Sequence, residues 1–167
     1  YELLGKHYAK EDIKRVVIFR PFNVYGADMG MGHVIPQLIN RIKEQKLHLL
    51  INNQSNISFE IQGDGTQTRA FEHIDDFIDG IEILMKKGKD REIYNIGNDE
   101  EITINELVNK IFFSINPDLK INLKHSQLPE GGTSRRCPDI TKLKSLGYVP
   151  RIKIDDGLSE VVNFYLS

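Results

Sequence analysis

A short apolar run, stopped by a proline and followed by a glycine-rich loop and an amphipathic helix, constrains this chain more than any other feature. Arg15-Val-Val-Ile-Phe19 is nearly continuous in apolar character and rich in β-branched residues. That composition predicts a strand covered on both faces, as in a parallel sheet. Pro21 stops the run, and Tyr25-Gly-Ala-Asp-Met-Gly-Met-Gly32 reads as a loop. Val34, Ile35, Leu38, Ile39 and Ile42 then share one face of a helix. Strand-like and helix-like segments alternate along the rest of the chain, which predicts an α/β fold.

The remaining elements follow from local signals. Residues 1–12 have helical spacing, yet no capping residue precedes Tyr1. The chain thus reads as entered in mid-helix, a piece of a larger protein. Between Leu47 and Ile61 stand two strand-like pieces, LHLLI and ISFEI, around the polar NNQSN, as in a hairpin or surface insertion. Asp75 is placed to cap a helix carrying Phe77, Ile78, Ile81, Ile83 and Leu84, and Gly88 to close it. Glu92 to Ile96 reads as a strand. Thr103-Ile-Asn-Glu106 has capping-box spacing and opens a helix through Ile115. Ile121 to Lys124 reads as a strand, and Leu128 to Cys137 as a polar loop. A short helix starts at Asp139 and ends at Gly147, and a final helix runs to about Leu166.

Composition excludes several function classes. The 167 residues carry 22 Lys plus Arg against 24 Asp plus Glu, a net charge of −2. General nucleic-acid binding needs a surplus of basic residues. The single cysteine, Cys137, rules out an intrachain disulfide framework and a Cys-rich zinc site. No apolar run approaches the roughly 20 residues of a membrane span. No secretory leader pattern is present, so a cytoplasmic location is expected. The glycines also fail the dinucleotide fingerprint. Gly30 and Gly32 would need glycine at 35, and Gly63 and Gly65 would need it at 68, where Ile35 and Thr68 stand. The five histidines are scattered and read as surface or structural residues.

Four stretches in order carry a resemblance. They are Arg20-Pro-Phe-Asn-Val-Tyr-Gly26, the run from Gly63-Asp-Gly-Thr to Asp76, Tyr94-Asn-Ile-Gly97, and Gly132-Thr-Ser-Arg-Arg-Cys-Pro to Lys142 with Leu-Gly-Tyr-Val-Pro150 behind it. Together they resemble the C-terminal half of an extended short-chain dehydrogenase/reductase, specifically the nucleotide-sugar epimerases and dehydratases. The resemblance implies a partial Rossmann-like unit of last strands plus a small α/β substrate-binding domain. Residues 1–26 would be the tail of the Rossmann domain. Residues 27–167 would be mainly the nucleotide-sugar-binding domain, with parts returning to the Rossmann sheet.

The family's catalytic pair is Tyr-x-x-x-Lys on one helix face. Gly5 stands four residues after Tyr1, and Lys6 lies about a further 100° around the helix. Asp12, Met29, Asn98 and Ile152 follow Tyr8, Tyr25, Tyr94 and Tyr148 at that spacing. The resemblance therefore implies a catalytic tyrosine and a cofactor fingerprint upstream of residue 1. It implies NAD or NADP as cofactor of the intact protein, a nucleotide-diphosphate sugar as substrate and a homodimeric assembly, with this piece inactive alone. A stand-alone nucleotide-sugar binding or regulatory module is the alternative from another class.

The resemblance also carries roles residue by residue. Asn23 and Arg69 match positions facing the diphosphate, where a guanidinium suits phosphate oxygens in a bidentate fork. Val34 matches a helix start whose backbone touches the base. Either Arg135 or Arg136 reaches phosphate or base, and the sequence leaves the choice open. Pro21 and Phe22 match positions lining the nicotinamide side.

Overall fold

The computed structural model describes residues 2, 13–52, 56–118, 120–127 and 131–167. The expected helix over residues 1–12 therefore lies, apart from helical Glu2, outside the described residues, as do the centre of the NNQSN turn and the start of the loop at 128. Among the described residues the elements run β1 (Ile18–Pro21), β2 (Val24–Tyr25), α1 (Val34–Asn52), β3 (Asn56–Gln62), β4 (Thr68–Ala70), β5 (Glu72–His73) and α2 (Ile74–Lys87). They continue with β6 (Ile93–Ile96), β7 (Glu101–Thr103), α3 (Ile104–Ile115), β8 (Lys120–Ser126), β9 (Arg135–Arg136), α4 (Thr141–Lys144) and α5 (Ile154–Leu166). β1 pairs with β6, β2 with β5, β3 with β8 and β4 with β9, all in parallel. Among the described residues β4 with β7 is the one antiparallel strand pair, and an isolated antiparallel bridge joins Gly63 to Ser126. This mixed α/β architecture with parallel pairs agrees with the alternation in the sequence.

Four local expectations are corrected. The piece LHLLI belongs to α1, not to a strand, because the apolar spacing of Ile35, Ile39 and Ile42 runs on through good helix formers. β3 pairs with distant β8 rather than folding back as a hairpin. The first strand sits three residues downstream of its expected start. Phe19, Arg20 and Pro21 on it are exposed, because among the described residues β1 has only β6 beside it. The helix α2 is capped by His73, whose Nδ1 accepts from the Asp75 amide at 3.3 Å. Asp75 sits in the first turn, where its charge favours the helix dipole. The capping box is present in full: Glu106 N donates to Thr103 Oγ1 at 3.1 Å, and Thr103 N to Glu106 Oε2 at 2.7 Å.

Packing gathers the buried apolar residues into two clusters. The larger joins Ile35, Ile39 and Ile42 of α1 to Phe59 of β3, Phe112 of α3 and Val161 of α5. Phe59 meets Phe112 edge-to-face, with centroids 5.4 Å apart, an arrangement the ring quadrupoles favour. The smaller holds Leu84, Tyr94, Ile96, Leu143 and Tyr148.

A polar seam lies behind β2 and β5. Tyr25, Glu72, His73 and Asp76 are each at most 3% exposed. Asp76 Oδ2 accepts from the amides of Arg151 and Ile152 at 2.9 and 2.8 Å, fastening α2 to the segment that leads into α5. Neither carboxyl oxygen of Glu72 has a partner among the described residues. Burial, then the neighbouring Asp76 and Asp99, push its carboxyl up to about 8.

Two tests follow from this seam. A carboxyl raised in the fold keeps a proton that the unfolded chain loses, so stability falls as pH rises from about 4.5 to about 8 and then levels off. Melting temperatures across that window should fall for the native sequence and stay flat for Glu72→Gln. A native curve without the fall means that Glu72 is ionised in the folded state. At Gly157 an added Cβ would overlap the Tyr25 hydroxyl and lie 2.8 Å from His73. Gly157→Ala should cost roughly 1–3 kcal/mol by overpacking, measured by urea denaturation. Tyr25→Phe in the same chain should recover part of the loss.

Candidate functional site

The strand period decides which arginines share a surface. β9 lies parallel to β4, with Thr68 opposite Arg135 and Arg69 opposite Arg136. Successive side chains point to opposite faces of a strand. Arg135 therefore leaves on the side of Thr68, where both meet Glu101. Arg135 Nε reaches both Glu101 oxygens at 3.0 Å, and Thr68 Oγ1 donates to Glu101 Oε2 at 2.6 Å. These bonds hold the Glu101 carboxyl below its ordinary range, the Arg135 bond being the largest cause.

Arg69 and Arg136 turn to the other side. Together with Asn23, Gly32, His33 and Val34 they line a cavity of about 200 Å³ whose wall contains no carboxylate. Arg69 donates to the carbonyls of Thr68 and Thr133 at 2.7 Å each, and more distantly to Ser134. A guanidinium has five N–H donors, so donors remain for a further acceptor. Burial, and then the charge of Arg136, lower the Arg69 pKa. Two cations side by side without a carboxylate between them make a site that favours an anion.

The helix start adds to this. α1 begins at Val34, and its first backbone bond runs from Gln37 N to His33 O at 3.2 Å. The amides of Val34 and Ile35 precede that bond, and Pro36 has none to offer. Orphan amides at a helix N-terminus favour negative charge.

Asn23 borders the same cavity as Arg69 and Arg136. It is a left-handed residue with φ 41°. Its Nδ2 donates to Ala70 O at 2.9 Å, while its own carbonyl accepts from Glu72 N at 3.2 Å. One amide hydrogen thus ties the turn between β1 and β2 to the end of β4, and the other N–H and the Oδ1 remain for a further partner. Phe22 lies apart, where a Cβ on Gly97 would come within 3.1 Å of the Phe22 Cβ and 2.9 Å of Pro138. Neither Pro21 nor Phe22 borders the cavity, and neither does Arg135.

Val34 and Arg69 also border a larger cavity of about 610 Å³, which runs along α1 past Gln37 to Arg41 and is closed by Glu60, Gln62, Gln67 and Ser126. Sequence reasoning passed over His33 and Gln67. Gln67 is buried, with Nε2 on the Gln62 carbonyl at 3.4 Å. Neither residue carries a signal of its own, since only the tertiary fold brings β3, β4 and the start of α1 together. Among the described residues no group of three His, Cys, Asp or Glu is placed to hold a metal ion, and no helix is long and apolar enough to cross a membrane.

Comparison with known proteins agrees with this picture. The chain is 33% identical over 150 residues to the putative GDP-L-fucose synthase 2 of Arabidopsis thaliana, covering 87% of this chain and 43% of that relative. It is 33% identical over 160 residues to UDP-glucuronic acid decarboxylase 5 of the same plant, covering 94% of this chain and 43% of the other. The chain thus spans less than half the length of these relatives. The structure of UDP-glucose 4-epimerase from Thermotoga maritima with UDP-glucose superposes with a TM-score of 0.77 at 26% identity, covering 98% of this chain and 50% of that one. Residues 1–97 match the NAD dependent epimerase/dehydratase family, and the chain belongs to it.

Proposed function

We propose that this chain is the nucleotide-sugar-binding side of an NAD(P)-dependent epimerase or dehydratase. The observation that carries the reading is the Arg69–Arg136 pair beside the open start of α1, in a cavity without a carboxylate. A diphosphate supplies the missing negative charge. Arg69 and Arg136 hold its oxygens by charge-assisted bonds, and the Val34 and Ile35 amides complete the seat. The larger cavity beyond Val34 receives the nucleoside, and the sugar leaves toward Asn23 and His33. Residues 1–26 serve as the tail of the cofactor domain and residues 27–167 form mainly the substrate domain. The parallel return of β6 onto β1 supports that division.

The glycines of this chain do not have the spacing of the dinucleotide fingerprint, and its sequence holds no Tyr-x-x-x-Lys. On this reading, hydride transfer belongs to a part of the protein that this chain does not include. The family cofactor, NAD or NADP, and the acid/base tyrosine are assigned to the rest of a longer, homodimeric protein.

Calorimetric titration with a nucleoside diphosphate tests the reading. Arg69→Ala and Arg136→Ala should each weaken binding roughly 10- to 100-fold, since a hydrogen bond to a charged group contributes about 1.5–3 kcal/mol. Arg135→Ala, on the opposite face of β9, should leave it unchanged. Equal losses at 135 and 136 would refute the assignment. Incubation of this chain alone with NAD and nucleotide sugars should yield no product, and measurable turnover would overturn the division of labour.

A further inference from the structure

The lining of the larger cavity includes a guanidinium and a carboxylate residue, Arg41 and Glu60. Arg41 is fixed from two sides: its Nη2 donates to the Glu60 carbonyl at 2.5 Å, and its guanidinium lies 4.6 Å from the Phe59 ring centroid. Glu60 and Gln62 share the exposed edge of β3, while Phe59 and Ile61 turn into the core. The Glu60 carboxylate has no hydrogen bond or ion pair among the described residues. Both Arg41 and Glu60 line the cavity. Arg41 stands seven helix residues, about 10 Å, along α1 from Val34, which is the span of a ribose and base from a diphosphate held at Arg69.

A guanidinium only donates and a carboxylate only accepts. Guanine meets both with paired contacts. Its O6 and N7 accept from an arginine in bidentate fashion, and its N1–H and N2–H2 donate together to one carboxylate. Uracil and thymine offer a single N–H between two carbonyl oxygens, so the second carboxylate oxygen faces an acceptor. Cytosine and adenine offer one amino group beside a ring nitrogen that repels the carboxylate. We infer that the nucleotide taken by this chain is a guanosine diphosphate sugar, with Glu60 as the residue that selects guanine. The inference rests on the diphosphate reading above and adds to it the identity of the base.

The test is competitive binding of GDP, UDP, dTDP, CDP and ADP to this chain, with Glu60→Gln and Arg69→Ala as variants. GDP should bind at least about tenfold more tightly than the other four. Glu60→Gln should reduce that preference at least severalfold by weakening GDP alone, since the amide NH2 that replaces one carboxylate oxygen faces a guanine donor. Arg69→Ala should weaken all five alike and leave their order unchanged. Equal affinity for the five, tighter binding of any other base, or a guanine preference left undiminished by Glu60→Gln overturns the assignment of the base while the diphosphate reading stands. Failure of every diphosphate to bind overturns both.

Discussion

Parallel pairing of the two-residue strand β9 with β4 is the constraint on which the candidate site depends. Shifted by one residue, the same pairing would send Arg135 into the cavity and Arg136 out to Glu101, because side chains alternate along a strand. Three contacts fix the register. Thr68 N donates to Ser134 O at 2.9 Å, the Arg69 guanidinium spans the carbonyls of Thr68 and Thr133, and Arg135 with Thr68 closes on Glu101. The exposed Arg135–Glu101 pair adds little stability by itself. Its effect is to select one register over another, since no carboxylate lies on the opposite face to receive Arg135.

The electrostatics of the two sides of this sheet are opposed. In front, Arg69 and Arg136 stand in register as like charges, an arrangement that costs stability in a bare sheet. Behind, Glu72 and Asp76 lie buried, Asp76 held by backbone amides and Glu72 by nothing among the described residues. Asn23 joins the two sides, with its amide on Ala70 and its carbonyl on the Glu72 backbone. Strain and uncompensated charge thus collect within a few residues of one turn, as they do at functional sites. An anion in front relieves the repulsion between the arginines.

Much of this was legible in the sequence because the signals are local. The capping box at Thr103, the closing Gly88 and the helix spacing of α1 are fixed by neighbours a few residues apart, and all three are present. The failures arose where distant segments decide. LHLLI has the apolar content of a strand, and continuity with α1 determined its fate. Asp75 has the chemistry of a cap, but the turn from β5 puts His73 at that position. The strand β9 was invisible in a polar loop, because two residues pair only when β4 is already in place. The choice between Arg135 and Arg136 was open for the same reason, and it is register, not residue type, that puts Arg136 rather than Arg135 on the cavity wall. The motif around Arg69 was legible because it resembles that of a family of known chemistry, while the left-handed turn at Asn23 and its bond to Ala70 depend on the distant strand β4.

Arg69 has two roles that oppose each other. Its carbonyl contacts stitch the segment ending in Ser134 to β4, and its remaining donors face the cavity. The first role draws the guanidinium out of water, which lowers its pKa and raises the cost of the second charge beside it. A lysine has no planar fork with which to bridge two carbonyls and still face a phosphate. The same side chain therefore sets the strand that carries Arg136 and, in the function proposed above, would share the ligand with it. Under that proposal, folding of the β9 segment and affinity for the anion are linked through one residue, and a diphosphate bound there would stabilise the register that creates its own site.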